Sequence, residues 1–179
     1  ELSAEQAAQV GSLIAEAQRL IGQQNFVEAR KKLLQVNQHD QDNSQACFYL
    51  GLLAALVEHN SSDGRKYFMR ALKSDAENVA CLNNLALAAV RSREVSQAVS
   101  YWKRSADLGS APEVSHNIGL LFLLAERNRL NVPAGLRQDL EQKLNSPSVA
   151  RASSEGKPAR HGVASSRGRA ANSSGWWYM

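Results

Sequence analysis

The chain has 179 residues, with 21 Lys and Arg against 17 Asp and Glu, and is 44% hydrophobic but only 6% aromatic. That length suits one domain with a real core, and the apolar content excludes a wholly disordered protein. Eleven Gly and four Pro exclude collagen-like or Pro-rich fibres, two Cys exclude a disulfide scaffold, and the uncharged apolar runs, Ala46 to Val57 and Ile118 to Ala125 among them, are far too short to span a membrane.

A first helix is expected from about Ala4 to Ile21, with Leu13, Ala17 and Leu20 as its apolar marks. A second carries Ala29 and Leu33. The polar cluster 38–43 ends it, and Asn43 is placed to cap a third helix bearing Cys47, Leu50, Gly51 and Ala54. A break at 60–63 leads to a fourth with Gly64, Phe68 and Ala71. After the break at 74–78, Asn78 is the expected cap of a fifth helix with Leu82, Leu85, Ala86 and Ala89. A sixth holds Ala98, Trp102 and Ser105, and a seventh, beyond the break at 109–112, holds Ile118, Gly119 and Phe122. Pro133 opens the last helix, where a missing N–H is harmless. Leu136, Leu140 and Leu144 form its stripe, and Arg137, Asp139, Glu141 and Lys143 cover its other faces, as suits a soluble end cap.

Residues 146–179 differ in kind. They hold five basic residues (Arg151, Lys157, Arg160, Arg167, Arg169) and one acid, Glu155, which leaves residues 1–145 formally neutral. Eight Ser, six Ala and four Gly cannot bury enough surface to offset their ordering entropy, so a flexible basic tail is expected there, ending in Trp176-Trp177-Tyr178-Met179. Glu1 in place of Met reads as a processed or trimmed chain. A signal or lipid anchor upstream is left open, and so is the compartment, cytoplasm or bacterial cell envelope.

The helical part repeats. Ala29, Gly64 and Ala98 fall 35 and 34 residues apart, and each is followed four residues later by a bulky side chain, Leu33, Phe68 or Trp102. Leu50-Gly51, Leu85-Ala86 and Ile118-Gly119 return at 35 and 33. Small residues at such a period let paired helices cross closely, and one-residue slips are expected in the turns. On these residues the chain resembles the tetratricopeptide repeat (TPR) family over roughly residues 4–145, with 79–112 and 44–78 matching best. The resemblance implies an all-α, right-handed helical solenoid of about three helix-turn-helix repeats plus a capping helix, forming one domain over 1–145 and followed by the tail 146–179.

The resemblance also implies a function. The first helix of each pair would line a concave groove that grips a protein or peptide partner. Its candidate lining is Phe48, Tyr49 and Leu52 from the second unit, Asn83, Asn84, Leu87 and Arg91 from the third, and His116, Asn117 and Leu120 from the fourth. Apolar members would bury partner side chains, and Asn amides, each donor and acceptor, would pair with partner backbone. A single groove cation, Arg91, argues against a receptor for acidic tails. The expected protein is a non-enzymatic scaffold or adaptor. An assembly chaperone or accessory protein of a bacterial secretion, pilus or envelope complex is the alternative specialisation, and homo-oligomers are left open.

Other chemistry is weaker. His39, His59 and His161 lie in turns or the tail, and none of the four His, His116 included, has a carboxylate or Cys at metal-ligand spacing. No Gly-rich phosphate loop or Gly-x-Ser-x-Gly elbow occurs, so no enzyme, small-molecule substrate, cofactor or metal is expected. Cys47 and Cys81 lie 34 residues apart on neighbouring helices. Packed helix axes stand about 8–10 Å apart and bridged Cα atoms need less than about 7 Å, which favours two buried thiols over a disulfide. The basic tail could neutralise phosphates, but its charge is sparse and its aromatics lie together at one end, so nucleic-acid binding is not favoured. The aromatic cluster could instead dock into another protein or into this chain's own groove.

Overall fold

The computed structural model describes residues 2–108, 112–127 and 130–145. Among them every regular element is helical and none is a strand. The helices are α1 (Ala4–Gly22), α2 (Phe26–His39), α3 (Ser44–Leu52) continued by a π-helical turn (Leu53–Val57), α4 (Ser61–Ser74), α5 (Val79–Arg91), α6 (Val95–Asp107), α7 (Pro112–Glu126) and α8 (Ala134–Leu144). The chain divides into two compact units within α5, Glu1–Ala88 and a second starting at Ala89. The expected tail, 146–179, lies outside the described residues.

Short side chains start most of these helices. Ser3 accepts from the Gln6 backbone N–H at 3.2 Å while Gln6 Oε1 accepts from the Ser3 N–H at 2.9 Å, a reciprocal capping box on α1. Asn43 and Asn78 cap α3 and α5 as expected, accepting from the N–H of Ala46 at 3.0 Å and of Cys81 at 2.9 Å. Asn25 and Asn60 do the same for α2 and α4, accepting from Glu28 and Asp63. Each cap satisfies a backbone donor that the first helical turn leaves unpaired.

A local turn also recurs. Gln24, His59 and Arg93 take left-handed backbone, with φ of 61°, 54° and 61°. At the first and third, the next residue donates back five positions, Asn25 to Leu20 at 2.9 Å and Glu94 to Ala89 at 2.8 Å, closing the preceding helix end. At the second, Asn60 reaches back six, to Ala54 at 2.8 Å. The reason is one additional residue. Gly51 to Gly64 is thirteen positions, whereas Ala17 to Ala29 and Ala86 to Ala98 are twelve. The extra residue is accommodated by widening the last turn of the helix to the π form, with Glu58 donating to Leu53 at 3.0 Å. The slip expected in the connecting turns therefore sits inside a helix.

In the first unit one core joins α1, α2 and α3. Val10, Ile14, Ala17 and Leu20 meet Ala29, Leu33 and Val36, and Ala46, Leu50 and Leu53 close over them. α4 buries Gly64, Phe68 and Ala71, and its approach to α3 depends on missing side chains. A Cβ on Gly51 would stand 2.6 Å from the Phe68 ring, and one on Gly64 would stand 2.8 Å from Ala55 Cβ and 3.1 Å from the Gly51 carbonyl oxygen. Each glycine thus occupies a contact that alanine would overfill. Arg70 of α4 ties down the preceding α2–α3 turn, with Nε 3.2 Å from Asp42 and a second nitrogen donating to the Gln41 carbonyl.

In the second unit α6 buries Val95, Ala98, Val99, Trp102, Ser105 and Ala106, and α8 packs on it through Leu140. Lys103 pairs with Asp139 at 2.9 Å and Lys143 with Asp107. The charges expected to keep the last helix soluble thus also fasten it. α7 departs from the expected alignment. It buries Val114, Asn117, Ile118 and Leu121, while no described residue lies within 4 Å of a Cβ on exposed Gly119. Ile118 is thus buried as Leu50 and Leu85 are, but Gly119 is not buried as Gly51 and Ala86 are.

Candidate functional site

The ten residues expected to line a groove fall on α3, α5 and α7, and burial sorts them. In the first unit Phe48 is only 9% exposed. Its ring meets Tyr49 edge-on at 5.3 Å and tilts against Phe68 at 6.1 Å, so it belongs to the helix-pair core. Asn83 is also interior, because Cys81, Leu82, Leu85, Ala86 and Ala89 of the same helix are all covered around it. Tyr49, Leu52, Asn84 and Leu87 remain half-exposed. Tyr49 is held from α1, whose Gln18 Nε2 donates to the phenol oxygen at 2.8 Å. Asn84 donates to its own helix, Nδ2 to the Ala80 carbonyl at 2.9 Å, so the donor foreseen for partner backbone is already used.

In the second unit Asn117 is interior, on the face of α7 that carries Val114, Ile118 and Leu121. Arg91, His116 and Leu120 are exposed. The structure thus leaves seven of the ten residues accessible and withdraws Phe48, Asn83 and Asn117. Sequence reasoning missed Gln18, which orients Tyr49, and Leu123, which is 40% exposed beside Leu120. The signal for Leu123 was present, since α7 carries no polar side chain on any face from Ile118 to Ala125.

Both cysteines are free and buried. Burial raises the Cys47 and Cys81 thiols above their ordinary 9.0, and Arg70 partly opposes this at Cys47. A neutral buried thiol is a poor nucleophile. Burial also raises the Tyr49 phenol above its ordinary 10.0, against the opposing hydrogen bond from Gln18. All three groups ionise more readily in the unfolded chain. The stability they contribute is therefore complete below pH 9.0 and is lost as pH rises past the thiol and phenol range. Each such group steepens the loss by up to about 1.4 kcal/mol per pH unit. Chemical denaturation at about pH 8 and about pH 10.5 should show this decline. It should be shallower in a Cys47→Ala, Cys81→Ala chain; an equal slope removes the thiols as its cause.

Among the described residues no group of three or more His, Cys, Asp and Glu side chains could hold a metal ion, and no helix is long and apolar enough to cross a membrane. A shallow depression of about 360 Å³ lies where α7 ends and α8 begins, lined by Ala125, Glu126, Leu130, Asn131, Val132 and Arg137. Its guanidinium already bonds Glu141 at 3.0 Å and Glu126 at 3.2 Å and lies 5.0 Å from the Phe122 ring centre. A scan against protein-family models and a search of the curated proteins each found no match.

Proposed function

We propose that the chain is a non-enzymatic protein-interaction scaffold of the tetratricopeptide kind, which holds a peptide or helix of a partner against α3 and α5. The close crossing of α3 and α4 carries the reading, since Gly51 receives the Phe68 ring and Gly64 abuts Ala55 at a spacing that recurs along the sequence. Left-handed residues at Gln24, His59 and Arg93 support it by recurring between the helices at α1–α2, α3–α4 and α5–α6. A rigid helix pair is suited to recognition because its exposed side chains keep their geometry when a ligand arrives, so little ordering entropy opposes binding. In the first unit the half-exposed side chains available for this are Tyr49 and Leu52 on α3 and Asn84 and Leu87 on α5.

The test is a peptide-display selection against the whole protein, with affinities of the selected peptides measured on variants. Leu52→Arg with Leu87→Arg should weaken binding at least about tenfold, the effect of losing roughly 1.4 kcal/mol, with the helical circular dichroism unchanged. Selected peptides that bind the folded variant as tightly as the parent would remove α3 and α5 as the gripping surface.

A further inference from the structure

α7 has two opposed faces. Val114, Ile118 and Leu121 are buried on one, while His116, Gly119, Leu120 and Leu123 are exposed on the other. The exposed four recur at i, i+3, i+4 and i+7, so they form one strip. Leu120 and Leu123 are each 40% exposed, and the missing side chain at Gly119 leaves a saddle beside them. No charged residue occurs from Asn117 to Ala125. An uncharged apolar strip on a helix that already buries its other face marks an interaction surface.

The sequence beyond α8 holds a matching ligand. Residues 146–175 contain no apolar side chain larger than Val149 and Val163, and then Trp176, Trp177, Tyr178 and Met179 follow without interruption. Aromatic side chains bury about 150–250 Å² each, the largest apolar gain any residue offers. We propose that Trp176, Trp177 and Tyr178 dock on the Gly119–Leu120–Leu123 strip of the same chain. Reach allows it. α8, from which this segment departs, is joined to the end of α7 by Arg137, 3.2 Å from Glu126 and stacked on Phe122. The 31 residues from Asn145 to Trp176 can extend to about 100 Å, whereas the whole of α7 is about 22 Å long. Tethering favours the chain's own cluster over a free partner or a second copy, because the linked ligand is held at a high effective concentration. The contact is apolar and should withstand salt, which separates it from an attraction of the basic residues to acidic surface. Docking would cover Leu120 whether or not α3 and α5 grip a partner.

A Leu123→Cys chain reports on the strip, since Cys47 and Cys81 are buried and the new thiol is the accessible one. Maleimide should label it at least about fivefold more slowly than in the same chain carrying Trp176→Ser, Trp177→Ser and Tyr178→Ser, at every protein concentration and at high salt. Equal rates overturn the proposal. Protection that grows with protein concentration assigns the strip to a second copy and overturns it as well. A second measurement keeps Leu123. The emission lost on Trp176→Phe with Trp177→Phe isolates those two indoles, and acrylamide should quench them about threefold less than free tryptophan amide. Full quenching overturns docking. Shielding that persists after Leu120→Ser with Leu123→Ser places the aromatics elsewhere and overturns it too.

Discussion

Replacing Trp102 by Ala is expected to lower the stability of the second unit by about 3–5 kcal/mol. The indole is 1% exposed, and Ala98, Val99 and Ala106 are buried with it along α6. Truncation removes the largest fully buried side chain among the described residues and leaves a cavity that the surroundings fill only in part. A domain of this size is stable by about 5–15 kcal/mol in all, so the loss is a large part of the margin. Urea denaturation followed by circular dichroism measures it, with Ser100→Ala, an exposed change in the same helix, as a control expected within about 0.5 kcal/mol. A Trp102→Ala cost below about 1 kcal/mol would show that the indole is not the centre of that core.

The second large effect concerns two glycines that appear exchangeable with alanine and are not. In an ordinary helix, Gly to Ala gains about 0.5–1 kcal/mol. At Gly51 the new Cβ would stand 2.6 and 2.7 Å from two ring atoms of Phe68, a ring that is 1% exposed and bounded by Phe48, so it has no room to swing away. At Gly64 the obstacles are Ala55 Cβ and backbone, which yield still less. Overpacking of this kind costs about 1–3 kcal/mol, which outweighs the helical gain, and Gly64→Ala should be the worse of the two. Combining Gly51→Ala with Phe68→Leu should cost less than the sum of the single changes, because the smaller side chain vacates the disputed volume. In a chain carrying Trp176→Ser, Trp177→Ser and Tyr178→Ser, Gly119→Ala should behave oppositely and raise stability by the ordinary helical increment, since no described residue lies within 4 Å of its Cβ. Denaturation midpoints of these variants and of Phe68→Leu alone, each against its parent chain, decide the matter. Destabilisation by Gly119→Ala, or none by Gly64→Ala, would contradict this account of the helix contacts.

These contacts bear on the proposed function. A scaffold must present side chains in a constant arrangement, and its constancy comes from helix pairs that fit one way only. Gly51 against Phe68 is such a fit in the first unit. Half-exposed Tyr49, fixed by Gln18 from α1, is the clearest case of a surface residue positioned by a neighbouring helix.

The helices, the Asn43 and Asn78 caps and the buried small residues of α2, α4 and α6 are legible in the sequence. The first helix was read to within a residue of its observed end, Asn43 and Asn78 cap as expected, and Ala29, Gly64 and Ala98 are all buried. Those signals are local or periodic: a cap is a matter of three residues, and a buried stripe repeats every 3.6. Which side of each helix is covered depends on the elements packed against it. Asn83 and Asn84 are chemically alike and adjacent, yet a rotation of about 100° between them puts one inside and leaves the other half-exposed. Gly119 resembles Gly51 in its sequence setting, but among the described residues nothing lies within 4 Å of its Cβ, so the same residue is a packing necessity in α3 and exposed in α7. Burial is a property of the neighbour as much as of the residue, and the neighbour comes from a distant part of the chain.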